Sequence, residues 1–77
     1  MKTSNYKALG EKYPKLILDV LTNSSEPLDV EAIRRTAGIG NWGTALSHCL
    51  ELLYFGKIRG QKASNGWTFW MHTSNEA

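Results

Sequence analysis

Few residues here are of a type that could do chemistry, and their spacing argues against catalysis. The chain has one cysteine, Cys49, and two histidines, His48 and His72. These three do not make the four closely spaced ligands that structural zinc needs. No Ser/His/Asp or Cys/His set, carboxylate pair or phosphate loop stands out. Gly38-Ile39-Gly40 is too short for a dinucleotide fingerprint and follows a helical pattern rather than a strand. The expectation is therefore a protein that is not an enzyme, with no catalytic residue, metal or cofactor. Cys49 falls in the middle of an apolar helical arc and reads as a small buried hydrophobe.

What remains is the chemistry of binding. The net charge of +2 says little, but its distribution along the 77 residues says more. Lys2, Lys7, Lys12 and Lys15 make the first segment basic; Asp19, Glu26, Asp29 and Glu31 make the next acidic; Arg34, Arg35, Lys57, Arg59 and Lys62 make the last basic, against Glu51 alone up to His72. Basic residues grouped in this way suit a polyanionic partner such as DNA, and the alternative is an ordinary solvated surface.

These side chains need a scaffold. Seventy-seven residues are enough for one domain, whose folding buries only about 60% of the unfolded chain's surface. With no disulfide, packing must supply the stability; the sequence is 42% hydrophobic, with three Trp, three Tyr and two Phe. No run approaches the ~18 apolar residues of a membrane span, and the first residues lack the apolar core of a signal peptide. A cytoplasmic protein is expected, nucleoid-associated if bacterial or archaeal.

Residues 1–12 read as an N-terminal arm with room for a helical turn at Tyr6–Leu9 closed by Gly10, 13–72 as the domain and 73–77 as a disordered tail. A first helix is expected over about Pro14–Thr22, with Tyr13, Leu16, Ile17, Val20 and Leu21 on its buried face. Leu28, alone between Pro27 and Asp29, reads as a strand stub. Asp29 is a natural N-cap for a helix over about Val30–Ala37, and Gly38 a natural terminator. A third helix runs from about Asn41 to Tyr54 or Phe55. At 100° per residue its apolar positions, Trp42 to Leu53, span about 160°, and Trp42 is expected in the core. The opposite arc carries Gly43, Thr44, Ser47, His48 and Glu51.

Beyond Gly56, strands are expected over Lys57–Lys62 and Trp67–His72. With Asn65-Gly66 as a type I′ turn, Lys62 would face Phe69, Gln61 would face Trp70 and Gly60 would face Met71. One face would hold Ile58, Trp67, Phe69 and Met71, completing the core. The other would hold Arg59, Gln61, Thr68, Trp70 and His72, leaving Trp70 on the solvent side, either stacked on Arg59 or available to a base or a second subunit.

Helix, strand stub, helix, tight turn, helix and hairpin is an order that resembles the winged helix-turn-helix DNA-binding family. The likeness is carried by DVEAIRRTAGIGNWGTALSHCLELLYFGKIRGQKASNGWTFW, Asp29 to Trp70, and by the passage Leu52-Leu53-Tyr54-Phe55-Gly56-Lys57-Ile58, similar to the family's L-x-x-x-G-x-I. It implies an α+β fold, a three-helix core with a C-terminal two-stranded wing, and binding to double-stranded DNA as a small transcriptional regulator or phage or plasmid accessory factor. By the same resemblance Asn41, Gly43, Thr44, Ser47, His48 and Glu51 would face the major groove. Lys57, Arg59, Gln61, Lys62, Ser64 and Asn65 would form the wing, with Arg34, Arg35 and the N-terminal lysines on phosphates.

The third helix departs from the usual DNA-reading pattern in carrying no Lys or Arg, although Arg to guanine is the commonest specific contact. Two further expectations follow. A homodimer on a two-fold site would raise affinity, with Tyr6, Leu9 and Leu18 as candidate contacts. The competing reading is a winged-helix protein-interaction module or inhibitor that uses Tyr54, Phe55 and Trp70 and binds no nucleic acid.

Overall fold

The structure, a computed structural model, describes residues 12–71. Its elements are α1 (Lys12–Thr22), β1 (Leu28–Asp29), α2 (Val30–Ala37), α3 (Trp42–Tyr54), β2 (Ile58–Ala63) and β3 (Gly66–Met71). Expectations for the Tyr6–Leu9 turn, for the dimer contacts Tyr6 and Leu9, for His72 and for the tail lie outside the described residues.

The α+β expectation holds, with one correction to the sheet. It has three antiparallel strands in the order β1-β3-β2, because Leu28 pairs with Phe69 and Asp29 with Thr68. Two extended residues after Pro27 satisfy backbone groups on the second edge of β3 that a hairpin alone would leave open. So short a segment offers no alternation by which its pairing could be read.

Helix α1 starts at Lys12, two residues before Pro14. Proline is tolerated there because the N–H groups of a first turn have no intrahelical acceptor. Only Ile17 and Leu21 of α1 are fully buried, with Tyr13 and Leu18 packed beside them. The buried stripe thus leans toward Leu18, which packs partly buried against the core. Leu16 and Val20 stay partly exposed and line a shallow groove with Leu28 and Ala37.

Helix α2 keeps its expected bounds. Asp29 caps it, its carboxylate accepting from the Ala32 N–H at 2.8 Å. At the other end Gly38 takes φ +75°, the Gly38 N–H donates to the Arg35 carbonyl at 3.3 Å and the Ile39 N–H to the Arg34 carbonyl at 3.0 Å. This is the Schellman closure, in which glycine avoids the Cβ clash of the left-handed region. It turns Ile39 inward to 2% exposure beside Ile33. Helix α3 begins after Asn41, whose side-chain oxygen accepts from the Thr44 N–H at 2.9 Å. It closes as α2 does: Gly56 has φ +77°, its N–H reaches the Leu53 carbonyl at 3.0 Å, and the Lys57 N–H reaches Leu52 at 2.9 Å.

The hairpin's faces match expectation; its register does not. Ile58 faces Met71, Gly60 faces Phe69, Gln61 faces Thr68, Lys62 faces Trp67 and Ala63 faces Gly66. The turn residues are therefore Ser64 and Asn65, one step earlier than Asn65-Gly66. Neither has positive φ, whereas Gly66 has φ +124°, so the turn is not type I′. The two-residue slip preserves which side chains share a face, since side chains alternate with period two. The observed register gives Phe69 room: a Cβ at Gly60 would lie 2.7 Å from its ring. Lysine at that place, as the expected pairing requires, would fill the space the ring occupies.

Phe69 is fully buried, and Trp67 stacks on it with centroids 5.6 Å apart and planes at 8°. Around it the core draws Val30 and Ile33 from α2, Ala45, Cys49 and Leu52 from α3, and Ile58 from β2. Leu53 is only partly buried, against the same cluster. Trp42, expected inside, is 51% exposed. Its angular position faces the core, but as the first helical residue it overhangs the end, and burial begins one turn later at Ala45.

Candidate nucleic-acid interface

The polar arc of α3 is one continuous strip. Asn41, Gly43, Thr44, Ser47, His48 and Glu51, with Leu50 at the edge, line a shallow concavity of about 680 Å³. Six of its seven lining residues are those expected to face the groove. Their roles divide on inspection. Asn41 uses its oxygen as the cap of α3, which commits one lone pair of the amide to the scaffold. Gly43 leaves room for that cap, since a Cβ there would sit 3.2 Å from Asn41 Oδ1. Thr44 and Ser47 project toward the concavity, Ser47 exposed and Thr44 half-buried.

His48 is held more closely than a solvated residue. Its Nδ1 is sealed from solvent and lies 3.4 Å from Glu51 Oε1, within ion-pair range but without hydrogen-bond alignment. Its ring packs on Tyr13 of α1, centroids 5.5 Å apart and planes tilted by 50°. Next to it in sequence, Cys49 is wholly buried, and burial pushes its thiol up to about 12, which removes the thiolate a nucleophile would need.

The two arginines of α2 are not equivalent. Arg34 grips Glu31 with a two-pronged contact, Nε to Oε1 at 3.0 Å and Nη2 to Oε2 at 2.6 Å, while Nη1 donates to the Ile39 carbonyl at 3.1 Å. It thus ties α2 to the turn, an engagement within the fold that its expected place among phosphate contacts did not include. Hydrogen bonding from Arg34 draws the Glu31 carboxyl below its ordinary range, and the same bond raises Arg34. Arg35 is 72% exposed, with Glu31 at the 4.0 Å limit of an ion pair.

On the hairpin, Lys57, Arg59, Gln61, Lys62, Ser64 and Asn65 are all exposed. They do not share one face. Arg59 and Gln61 lie on the side away from Phe69, while Lys62 shares a face with Trp67 near the tip. Trp70, opposite Arg59, is half-buried rather than a projecting ring. It walls a groove of about 560 Å³ whose other side is the α1–β1 loop, from Ser24 to Pro27. That loop runs beside β3 because β1 is paired there, a consequence of the third strand that the hairpin alone could not indicate.

Two features escaped sequence reading. Ile39 carries the turn into the core, and its flanking glycines were the available signal. Trp42 stands exposed beside the α3 cap, signalled by its place as the first residue after Asn41. No helix among the described residues is long and apolar enough to cross a membrane. Compared with protein-family models, with curated proteins and with solved structures, the chain matches none.

Proposed function

We propose that residues 12–71 form a winged helix-turn-helix domain that binds double-stranded DNA, with α3 in the major groove and the β2–β3 hairpin as the wing along the backbone. The observation that carries this reading is the joint between α2 and α3. Two helices meet through a four-residue, glycine-containing turn, residues 38–41, the length typical of helix-turn-helix units. Ile39 anchors the turn from inside and Arg34 from outside. A helix that reads base edges must be presented rigidly, and the polar strip of α3 sits directly on this joint. In this reading Thr44, Ser47 and His48 approach bases, and Arg35, Lys57, Arg59 and Lys62 neutralise phosphates. Arg34 and Asn41 serve the scaffold. The role is that of a small transcriptional regulator or a phage or plasmid accessory factor.

The test is a titration of the full chain with a labelled duplex at about 50 and 200 mM salt, with light scattering to read stoichiometry. Four phosphate contacts correspond to a weakening of roughly 100-fold across that interval. Replacing Arg59 and Lys62 together by Gln should flatten the salt slope by about one unit per lost contact, equally for all sequences. Absence of binding at the lower salt overturns the reading.

One observation favours the protein-interaction alternative: Trp42, Tyr54 and Phe55 are exposed to 51%, 84% and 64%. The rings of Tyr54 and Phe55 meet edge to face, 5.4 Å apart. Aromatic side chains of this kind are enriched at protein interfaces, and failure of duplex binding would turn attention to them.

A further inference from the structure

Among the described side chains, His48 Nδ1 is the buried polar atom left without a hydrogen bond. An unsatisfied buried group calls for an explanation in the work the site does. The charged groups around it are few. Glu51, one turn along the same helix, brings Oε1 to 3.4 Å. From α1, Tyr13 covers the ring, and Lys12 Nζ stands 5.9 Å from the centre of that Tyr13 ring. With Nδ1 shut in and the side chain still 24% exposed, the polar edge left to meet the concavity is that of Nε2. The imidazole is thus oriented from behind, on the strip that faces DNA.

We propose that His48 is the specificity-determining residue of α3 and that Glu51 positions it, so that the preferred base at this contact is one that offers a donor to Nε2. The proposal rests on the DNA-binding reading. A neutral imidazole has one N–H, and the Glu51 carboxylate favours placing it on Nδ1. Nε2 is then an acceptor, matched to the exocyclic amino group of adenine or cytosine in the major groove.

Two experiments on the full chain test this. In the free protein, long-range ¹H–¹⁵N spectra at pH about 8 should show His48 protonated on Nδ1, with Glu51→Gln shifting it toward the Nε2–H form. An Nε2–H wild-type ring overturns the proposal whatever DNA does. Selection from a randomised duplex library should give a wild-type preference for A or C over G at one base pair, by roughly tenfold. His48→Ala should lose the preference at that base pair. A motif unchanged by His48→Ala, or wild-type binding without sequence preference, overturns this proposal and leaves DNA binding standing. Retention of no duplex by the wild type overturns both.

Discussion

The α2–α3 pair with its joining turn and the β2–β3 hairpin are held in place by opposite means. Between Asp29 and Thr44 the capping and turn contacts are local: the Asp29 cap reaches three residues ahead, the Gly38 closure five back, the Arg34–Ile39 bond five and the Asn41 cap three. The hairpin tip has nothing comparable. Its register is set by Phe69, which lies over Gly60, pairs with Leu28 of another strand and shares space with Leu53 of α3. One region is specified by neighbours in sequence, the other by partners far along the chain. A DNA-reading element benefits from the first kind of control, because short capping contacts fix the helix angle with little dependence on the rest of the core.

The largest expected effects break the long-range half. Phe69→Ala should cost about 3–5 kcal/mol in urea denaturation. Gly60→Ala, which adds a Cβ 2.7 Å from the ring, should cost about 1–3 kcal/mol by overpacking. A neutral Gly60→Ala would mean that the ring does not hold the register. Ile39→Ala tests the point where the turn of the local unit enters the core, and should cost about 2–5 kcal/mol.

The same division explains what could be read beforehand. Helix α2 kept its expected ends because Asp29 and Gly38 act on the backbone beside them, and the buried arc of α3 followed from spacing in Ala45, Cys49 and Leu52. The hairpin register slipped because Asn65-Gly66 suits two turn geometries, and only the space over Gly60 decides between them. The strand stub at Leu28 was legible from its place between Pro27 and Asp29, but its pairing with β3 was not, because two residues carry no period. In the candidate site, the members of the polar arc were legible from helical angle. The commitment of Arg34 and Asn41 to the scaffold was not, since a side chain's hydrogen-bond partner depends on where the turn brings carbonyl and amide groups.

Smaller effects sharpen the contrast. Gly38 and Gly56 share nearly the same φ, and a Cβ at either meets nothing within 4 Å. Alanine at each should therefore cost a similar amount, about 1–2 kcal/mol, from the left-handed backbone alone. An unequal pair would show that one turn carries more than backbone strain. The smallest effect is electrostatic. Because Arg34 draws Glu31 below its ordinary value of 4.5, folding favours the ionised carboxylate. That contribution is complete above the ordinary range and disappears as pH falls through the lowered value. The stability difference between wild type and Glu31→Gln should shrink toward zero as the solution is acidified below about pH 4. A gap that stays constant there would remove the ion pair from the local clamp.

The most direct measurement is an amide-resolved NMR titration of the full chain with a duplex at low salt. Binding through the rigid joint should move Thr44, Ser47 and His48 on α3 together with Arg59, Lys62 and Asn65 on the hairpin. Leu16, Val20, Ser25 and Trp70, which line the two grooves elsewhere, should stay still. Shifts centred on those groove residues, with the α3 strip silent, would contradict the assignment of α3 as the reading helix.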